Sequence, residues 1–336
     1  MYKIGFYGGS FDPVHLGHIR CIIQAINKCE KLFIVLSYSK QRDFVPYQIR
    51  FRVLKQIAKD FDNVEVIAIE DYSKDKNLYN WQDGAQQIKE LIKDEINVVF
   101  AGSDYKNKKI FEKLYPNAKI EYINRTGKKA VQISSTEIRK NPLKYFEFLP
   151  NEMKPYYVKK VLIVGTESCG KSTLIKALAN YYNTIFLEEV GRDVCEQAGG
   201  VENMIESDFF EIMFKHKSKE YQLEKLANKV LFIDTDSLIT AYFGKIITCD
   251  NEQRIFNLAK QIYEISKYDV IFYLEPDVIW VQDGTRINIE GNARKKNNEI
   301  LKTEFYDIMK AKYYSISGNY DERFKTCLKI LDKILF

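Results

Sequence analysis

GGSFDPVHLGH, residues 8–18, is the stretch that decides the fold of this chain of 336 residues. It stands between an apolar run, KIGFY, and a segment whose apolar residues recur at helical spacing. The run predicts a strand and the segment predicts a helix, so the glycine-rich turn lies at a strand–helix junction. In an open α/β sheet, such a junction is the usual place for phosphate binding. Two of the chain's three histidines, His15 and His18, lie here. The pattern therefore predicts a site close to the start of the sequence.

The composition favours two globular domains in the cytoplasm. The length exceeds that of one typical domain, and a hydrophobic content of 46% can supply two cores. The formal charge is only +5 and is dispersed, so it requires neither nucleic acid nor a membrane as partner. No segment approaches the roughly 18 apolar residues that cross a bilayer, and the first residues do not form a secretion signal. The six scattered cysteines are typical of free thiols in a reducing compartment.

Apolar runs alternate with amphipathic segments along the whole chain, which predicts the α/β class with a parallel sheet in each half. Strands are predicted at 3–8, 31–37, 64–69, 96–101, 118–123, 161–164, 184–187, 230–234 and 270–274. Helices are predicted at 16–28, 47–59, 82–93, 105–114, 173–181, 207–228, 251–266, 295–312 and 320–335. A connector rich in proline and aromatic residues separates the halves, so we place the domains at 1–156 and 157–336.

The second half opens with GTESCGKS, residues 165–172, which matches the pattern G-x-x-x-x-G-K-[ST]. The pattern requires a strand before the loop and a helix after it, and both are predicted here. The glycines let backbone N–H groups surround phosphate oxygens, Lys171 supplies a positive charge, and the Ser172 hydroxyl can join the shell of a Mg²⁺ ion. A chance match in a glycine-rich turn is the alternative. The residues predicted to bind nucleotide here are Gly165, Gly170, Lys171, Ser172 and Thr173.

Two carboxylates follow a later apolar strand, in the segment FIDTD. A carboxylate at the end of a buried strand holds Mg²⁺ in P-loop enzymes, directly or through water. We assign that role to Asp234, and we expect Asp236 to contact a hydroxyl of the acceptor. The alternative for Asp236 is a helix N-cap, which is compatible with the first role.

Further charged residues complete the predicted second site. Arg286 and Arg294 lie in a polar stretch that suits a lid, because phosphoryl transfer needs cations that approach the phosphates on closure. Glu189 and Arg192 follow a predicted strand and can bind the hydroxyls of an acceptor. For Arg294, Glu189 and Arg192, ordinary surface charge is the alternative.

The residues alone leave the chemistry of the first site open. Two histidines three residues apart can bind a metal, move protons or contact phosphates, but no nearby His or Cys completes a zinc shell. A second element, ISSTEIR at residues 133–139, combines hydroxyls for an N-cap with Arg139. A helix N-terminus there would favour anions, while a simple capping box is the alternative. We therefore favour contact with a triphosphate and catalysis by positioning and charge.

These stretches resemble the paired signature of the nucleotidyltransferase superfamily, written (T/H)xGH and SxTxxR. The form SSTxIR is similar to that of nicotinamide mononucleotide adenylyltransferases. Joined to a P-loop kinase half, the whole chain resembles the bifunctional NadR-type family, which the segments EEVGRD, FIDTD and WVQDGTR also fit. The resemblance implies a Rossmann-like nucleotidyltransferase domain followed by a P-loop kinase domain.

The resemblance also implies two ATP-dependent reactions. The second domain would phosphorylate nicotinamide riboside to nicotinamide mononucleotide with Mg²⁺, and the first would join that product to the AMP part of ATP, giving NAD and pyrophosphate. His15 and His18 would contact the ATP phosphates, Arg139 would bind the departing pyrophosphate, and Trp81 would stack on nicotinamide. A buried core role is the alternative for Trp81. The other nucleotide contacts implied are Gly8, Gly9, Ser10, Phe11, Asp104, Ser135 and Thr136.

Some members of this family carry a helix-turn-helix domain ahead of the catalytic domains. Here the predicted catalytic strand begins at residue 2, so we expect an enzyme without a DNA-binding half. We expect no membrane partner either, and we expect a homo-oligomer. Two other classes stay open, namely adenylyl transfer to another acceptor such as phosphopantetheine or a sugar phosphate, and a nucleotide sensor without catalysis.

Overall fold

The computed structural model describes residues 1–75, 78–124, 132–247, 252–278 and 291–335, with backbone alone for 291 and 292. The chain divides into two compact units, Met1–Tyr157 and Val158–Phe336. Each unit contains a five-stranded sheet in which every described strand pair is parallel. The α/β prediction is therefore confirmed. Among the described helices, none combines the length and the apolar character that a membrane span requires.

The first unit places one strand at the centre of its sheet. Its strands are β1 (Tyr2–Gly9), β2 (Cys29–Tyr38), β3 (Val64–Glu70), β4 (Val98–Gly102) and β5 (Lys119–Ile123). Its helices are α1 (Leu16–Ile26), α2 (Tyr47–Ala58), α3 (Trp81–Ile92), α4 (Ile110–Leu114) and α5 (Ser135–Lys140). The strand order is β3-β2-β1-β4-β5, so the direction of winding reverses between β1 and β4. Sheets of this kind bind ligands beyond the carboxyl ends of the strands at such a switch point.

The second unit repeats this plan in a different order. Its strands are β6 (Lys159–Val164), β7 (Phe186–Leu187), β8 (Val230–Asp234), β9 (Val270–Leu274) and β10 (Tyr314–Ile316). Its helices are α6 (Lys171–Tyr181), α7 (Gly191–Gln197), α8 (Glu206–Glu224), α9 (Ser237–Ile247), α10 (Glu252–Ser266), α11 (Gly291–Leu301) and α12 (Tyr320–Leu335). The order is β10-β9-β6-β8-β7, with β6 at the centre. All five residues of β8 and of β9 are buried, as expected for inner parallel strands covered on both faces.

Some predicted elements differ from the structure. The helix predicted at 105–114 is wrong in its first half, where a 3₁₀ segment, Ser103–Lys108, precedes α4. Lys109, with φ +47°, separates the two because a left-handed residue cannot continue a helix. The helix predicted at 295–312 ends at Leu301, and a single π-helical turn follows it. Helix α9 was not predicted, since its residues are apolar on most sides and show no amphipathic pattern.

Close packing at the centre of the first sheet depends on a glycine. Gly5 of β1 pairs with Leu32 of β2 and Val98 of β4. A Cβ atom at Gly5 would lie 2.6 Å from Cys29 Sγ and 2.7 Å from Val98 Cγ1. Both neighbours are buried, so neither can move away freely.

We predict that Gly5→Ala lowers the free energy of unfolding of the first unit by about 1–3 kcal/mol, the usual cost of overpacking a core. Urea unfolding followed by hydrogen exchange of β1 and β2 measures it. Gly8→Ala is the matched control for stability, because the nearest atom to its added methyl lies at 3.7 Å. Equal stability of the two variants would contradict this account of the sheet centre.

Candidate active sites

The two histidines of the first unit cap helix α1 and stack on each other. His15 is the N-cap, and its Nδ1 accepts a hydrogen bond from the Gly17 N–H at 3.1 Å. The Nδ1 of His18 accepts from the His15 N–H at 3.3 Å, and the two ring centroids lie 3.8 Å apart. Because each Nδ1 accepts from a backbone N–H, the hydrogen of each neutral ring is assigned to Nε2. The capping geometry therefore makes both Nε2 atoms hydrogen-bond donors.

The loop before the histidines is fixed by Asp12. The two carboxylate oxygens of this buried side chain accept from the N–H groups of Phe44 and Val45, at 3.1 and 2.9 Å. The preceding Phe11 has a φ of +48° and a fully buried ring, whose edge lies against His18 at 4.9 Å between centroids. A residue that is left-handed and buried in this way is held by its surroundings. Gly8 and Gly9 were predicted to form a turn, but they are the last two residues of strand β1, and Ser10 leads from them into this fixed loop.

Helix α5 is bound to the same loop, as the sequence analysis expected. Ser135 Oγ donates to the Pro13 carbonyl at 3.1 Å, and Arg139 Nη1 donates to the Asp12 carbonyl. Arg139 also donates to Thr136 Oγ1 at 3.1 Å. Ser134 forms a capping box with Glu137, so the predicted capping alternative holds for Ser134. The structure thus brings Ser135 and Arg139 to the segment that carries His15 and His18.

Arg50 is a residue of this site that the sequence analysis did not single out. Its side chain is fully buried, and its guanidinium donates to the Ser10 carbonyl and to the Asp43 carboxylate. Asp43 in turn accepts from the Ser39 N–H at 2.6 Å. A buried charge needs such partners, and here the bond from Arg50 holds the backbone at Ser10, where β1 leads into the loop. No motif surrounds Arg50 in the sequence, so only the fold reveals its position.

The structure places two further predicted residues of the first unit on neighbouring elements. Trp81 is half-buried at the start of α3, and its ring meets the rings of Tyr79, Tyr105 and Phe111 edge-on, with centroids 4.8–5.7 Å apart. This aromatic packing fits the predicted core alternative for Trp81 and leaves part of its surface exposed. Asp104 is exposed in the 3₁₀ segment that follows β4.

In the second unit, the loop 165–170 joins the central strand β6 to helix α6 with two left-handed glycines. Gly165 has a φ of +146° and Gly170 a φ of +83°. A Cβ atom at Gly165 would lie 2.6 Å from the Leu274 carbonyl oxygen, so only glycine fits there. Lys171 Nζ donates to the carbonyls of Gly165 and Thr166, at 2.9 and 3.0 Å. The lysine therefore lies folded across the loop, and the pattern has the strand–loop–helix context that it requires.

Asp234 ends strand β8 next to this loop. The parallel register pairs it with Ile163 of β6, and Ser172 Oγ donates to its Oδ2 at 2.9 Å. Its Oδ1 is buried and receives no hydrogen bond from the described residues. Burial raises the pKa of Asp234 to about 6, although the positive charge of Lys171 opposes this shift. Asp234 is therefore a buried carboxyl group with one oxygen, Oδ1, that no described residue satisfies.

This donor set fits Mg²⁺. The ion prefers oxygen ligands and commonly takes one or two from the protein, with phosphate oxygens and water as the others. Ser172 and the unsatisfied oxygen of Asp234 supply such ligands. The described residues contain no group of three or more His, Cys, Asp or Glu side chains placed for a metal. The described residues therefore contain no site of this kind that would bind a metal through protein side chains alone.

Asp236 occupies the capping position that the sequence analysis gave as its alternative. Its Oδ1 accepts from the Ile239 N–H at 3.0 Å, at the start of α9, and from the Tyr306 hydroxyl at 2.8 Å. Burial raises its pKa to about 6. The side chain is only 1% exposed, so contact with an acceptor stays a prediction.

A cavity of about 210 Å³ opens beside the second loop. Its lining includes the charged and polar residues Glu189, Arg192, His216 and Thr240. It also includes the apolar residues Val201, Met204, Phe209, Ile212, Ile239 and Phe243. Lys171, Ser172 and Thr173 also line it, so the cavity reaches the phosphate-binding loop. The structure thus brings the predicted residues Glu189 and Arg192 to the loop.

His216, the third histidine, is a cavity residue that the sequence analysis did not single out. It lies on α8 with its Nε2 3.2 Å from the Asp234 carbonyl oxygen. A carbonyl can only accept, so Nε2 carries the hydrogen. Burial lowers the pKa of His216, so its ring is neutral at physiological pH. A lone histidine in an amphipathic helix has no recognisable pattern, and only the fold places it against Asp234.

The predicted lid arginines have different outcomes. Arg286 lies outside the described residues. Arg294 is half-buried in α11, and its Nη1 donates to the Val278 carbonyl at 3.2 Å. A role of Arg294 at the phosphates stays a prediction.

Comparison with known proteins agrees with this geometry. Residues 6–141 match the cytidylyltransferase-like family model, and residues 160–323 match the AAA domain model. The chain is 29% identical over 349 residues to the trifunctional NAD biosynthesis/regulator protein NadR of Escherichia coli, an alignment that covers 99% of this chain and 83% of the relative. The chain is therefore similar to NadR proteins over almost its whole length. The order of the two loops along the chain, adenylyltransferase signature first and P-loop second, is the order that the family resemblance implies.

Solved structures of the NadR family share this fold. The crystal structure of a NadR protein in complex with NR superposes with a TM-score of 0.82 at 20% identity, and covers 99% of this chain and 96% of that chain. A NadR protein in complex with NAD and AMP-PNP gives a TM-score of 0.79 at 19% identity, with the same coverage. The fold therefore confirms the predicted order of the two units, a nucleotidyltransferase-like unit followed by a P-loop unit.

We predict that Asp234→Asn raises the free energy of unfolding of the second unit at pH 7.5 by about 1–3 kcal/mol, at about 1.4 kcal/mol for each pKa unit. The folded-state pKa lies above the ordinary value of the unfolded chain, so the folded protein disfavours the charged carboxylate. The wild type therefore gains stability as the pH falls through about 6 towards 4, and the asparagine variant lacks the part of this gain that comes from Asp234.

Urea-dependent hydrogen exchange of β6 and β8 at pH 7.5 and pH 4.5 measures this difference. Asp321→Asn is the matched control, because Asp321 is exposed and, among the described residues, pairs with the exposed Lys325. Its effect should stay below about 0.5 kcal/mol. A less stable Asp234→Asn variant at pH 7.5 would contradict the assignment of a strained, desolvated carboxylate.

Proposed function

We infer that the chain carries out two consecutive reactions of NAD salvage. The second unit transfers the γ-phosphoryl group of ATP to nicotinamide riboside, and the first unit joins the resulting mononucleotide to the AMP part of ATP, releasing pyrophosphate. The observation that carries this inference is the conjunction of two complete phosphate-binding loops, each at the carboxyl end of a central strand, in a chain that aligns with NadR over 99% of its length.

The second unit has the parts that phosphoryl transfer needs. Backbone N–H groups of the loop and Lys171 would hold the ATP phosphates, and Ser172 and Asp234 would hold Mg²⁺. That ion, when bound, neutralises charge that develops on the transferred phosphoryl group. The riboside would occupy the adjoining cavity, whose apolar wall suits a flat ring. Nicotinamide riboside is a cation, and Glu189 supplies a negative charge in the same wall.

In the first unit, catalysis would consist of positioning and charge stabilisation. His15 and His18 would donate their Nε2 hydrogens to the ATP phosphates, because capping of α1 holds both Nδ1 atoms as acceptors. Arg139 would bind the departing pyrophosphate next to the N-terminus of α5. The remaining predicted contacts, Gly8, Gly9, Ser10, Phe11, Asp104, Ser135 and Thr136 to nucleotide and Trp81 to nicotinamide, are part of the same proposal.

A homo-oligomer, the lack of nucleic-acid binding and a cytoplasmic location remain proposals. A net charge of +5 dispersed over the chain supports the second of these. Light scattering and a gel-shift titration with random DNA test the first two directly.

Lys171→Ala should abolish phosphorylation of nicotinamide riboside and leave adenylylation of supplied nicotinamide mononucleotide within about twofold, because the two loops lie in separate units. Chromatography of products from each substrate with ATP and Mg²⁺ measures both. Lys176→Ala, which removes an exposed lysine from the same helix, is the matched control and should retain both activities. Loss of both activities in Lys171→Ala would contradict independent sites.

His18→Ala should lower adenylyl transfer by about 10²-fold or more, the usual effect of removing one transition-state donor, and should leave riboside phosphorylation intact. Two further variants separate capping from donation. His18→Asn keeps an acceptor near the Nδ1 position and should remain inactive, whereas His18→Gln places an amide N–H near Nε2 and should recover part of the rate. Pyrophosphate release from nicotinamide mononucleotide and ATP is the readout. Recovery of the adenylyl-transfer rate in His18→Asn but not in His18→Gln would refute donation by Nε2.

A further inference from the structure

Arg323 is one of the two largest side chains that the described part of the protein buries completely. It lies in the first turn of α12 and is 1% exposed. Its Nη1 donates to the Cys169 carbonyl of the phosphate-binding loop at 2.5 Å. Its Nη2 donates to the Glu275 carbonyl at 2.8 Å and to the Asp277 carboxylate, and its Nε donates to the Gly318 carbonyl at 2.8 Å. One side chain therefore joins the phosphate-binding loop, the end of β9 and the turn after β10.

The contact with the loop has a direct consequence for the next backbone N–H. The Cys169 carbonyl and the Gly170 N–H belong to one peptide unit, which is planar and trans, so the two groups point in opposite directions. Because the carbonyl points to Arg323, the Gly170 N–H points away from α12. Gly170 has a φ of +83°, so its own conformation does not hold the peptide in one orientation. The hydrogen bond from Arg323 supplies that restraint.

The rest of α12 supports the same arrangement. A Cβ atom at Gly170 would lie 2.9 Å from Tyr320 Cε1, so the start of α12 packs directly against the loop. Asp277 Oδ2 accepts from the Gly318 N–H at 2.7 Å, which fixes the turn that leads into the helix. The charge of Arg323 is thus balanced by one carboxylate and three carbonyl dipoles and does not face the cavity, whose lining does not include it among the described residues.

We propose that Arg323 is a positioning residue that holds the Cys169–Gly170 peptide in the orientation that binds the phosphates of ATP. This inference rests on the proposed kinase function of the second unit. Arg323 acts through the loop and touches neither substrate. Substitution of Arg323 should therefore weaken the binding of ATP and leave the binding of the riboside unchanged. Adenylyl transfer should also be unchanged, because it occurs in the other unit.

Arg323→Lys tests the proposal, because lysine keeps the charge but replaces the planar fork, whose three nitrogen atoms make four hydrogen bonds here, with a single nitrogen that has three donors. We expect the KM for ATP in riboside phosphorylation to rise about tenfold or more, the usual effect of losing a hydrogen bond to a charged group. The KM for the riboside and the rate of adenylyl transfer should change less than about twofold. Arg323→Met, which removes every donor, should show a larger rise in the KM for ATP.

The matched control is Lys325→Gln, which removes an exposed charge two positions further along the same helix and should behave as the wild type. Thermal unfolding identifies variants that have merely lost the fold. A parallel rise of both KM values in Arg323→Lys, or an unchanged KM for ATP in a folded variant, would overturn the proposal.

Calorimetric titration with ADP separates this proposal from the function on which it rests. The part of the binding heat that is absent in Lys171→Ala comes from ADP bound at the loop of the second unit. Arg323→Lys should lower the ADP affinity of this component by the same factor by which it raises the KM for ATP. If the wild type does not phosphorylate the riboside, the proposed kinase function fails, while weakened ADP binding in Arg323→Lys still supports positioning of the loop. If the wild type is an active kinase and ADP affinity is unchanged in the variant, Arg323 has no positioning role.

Discussion

Both candidate active sites depend on one constraint, which is that the carboxyl ends of parallel strands all lie at the same edge of a sheet. In each unit the central strand leads into a loop that contributes to the candidate site, after β1 in the first unit and after β6 in the second. Residues that are far apart in sequence reach that edge because neighbouring strands end there too. Asp234 meets Ser172 across 62 positions only because β8 pairs with β6 in register. The strand order thus determines where both candidate active sites lie, and the side chains determine their chemistry.

Loops that bind phosphate through backbone N–H groups must be held in an unusual conformation without the help of regular secondary structure. In both units a buried arginine supplies this restraint. Arg50 donates to the carbonyl of Ser10 in the first loop, and Arg323 donates to the carbonyl of Cys169 in the second. Each arginine is also paired with a carboxylate, Asp43 or Asp277, so that its charge is not left unpaired in the interior. The same solution therefore occurs in two units with different strand orders.

The sequence predicted the features that local patterns encode. Buried runs such as VLIV and the two loop motifs carry their information within a few residues, so their strands and junctions were placed correctly. Arg50, His216 and Arg323 were not predicted, because their roles arise from contacts across 18 to 154 positions. Helix α9 was missed because it is buried on most sides, and the aromatic contacts of Trp81 depend on the fold of α3 and α4. The residue-level roles in catalysis remain predictions for the same reason.

The central claim is that one chain makes NAD from nicotinamide riboside in two steps at two sites. The most direct test is the stoichiometry of the wild-type reaction with nicotinamide riboside, ATP and Mg²⁺, followed by chromatography and phosphorus NMR. The account predicts one ADP and one pyrophosphate for each NAD formed, with nicotinamide mononucleotide appearing before NAD. With supplied nicotinamide mononucleotide it predicts pyrophosphate without ADP. Formation of ADP without the mononucleotide, or the absence of NAD from either substrate, would contradict it.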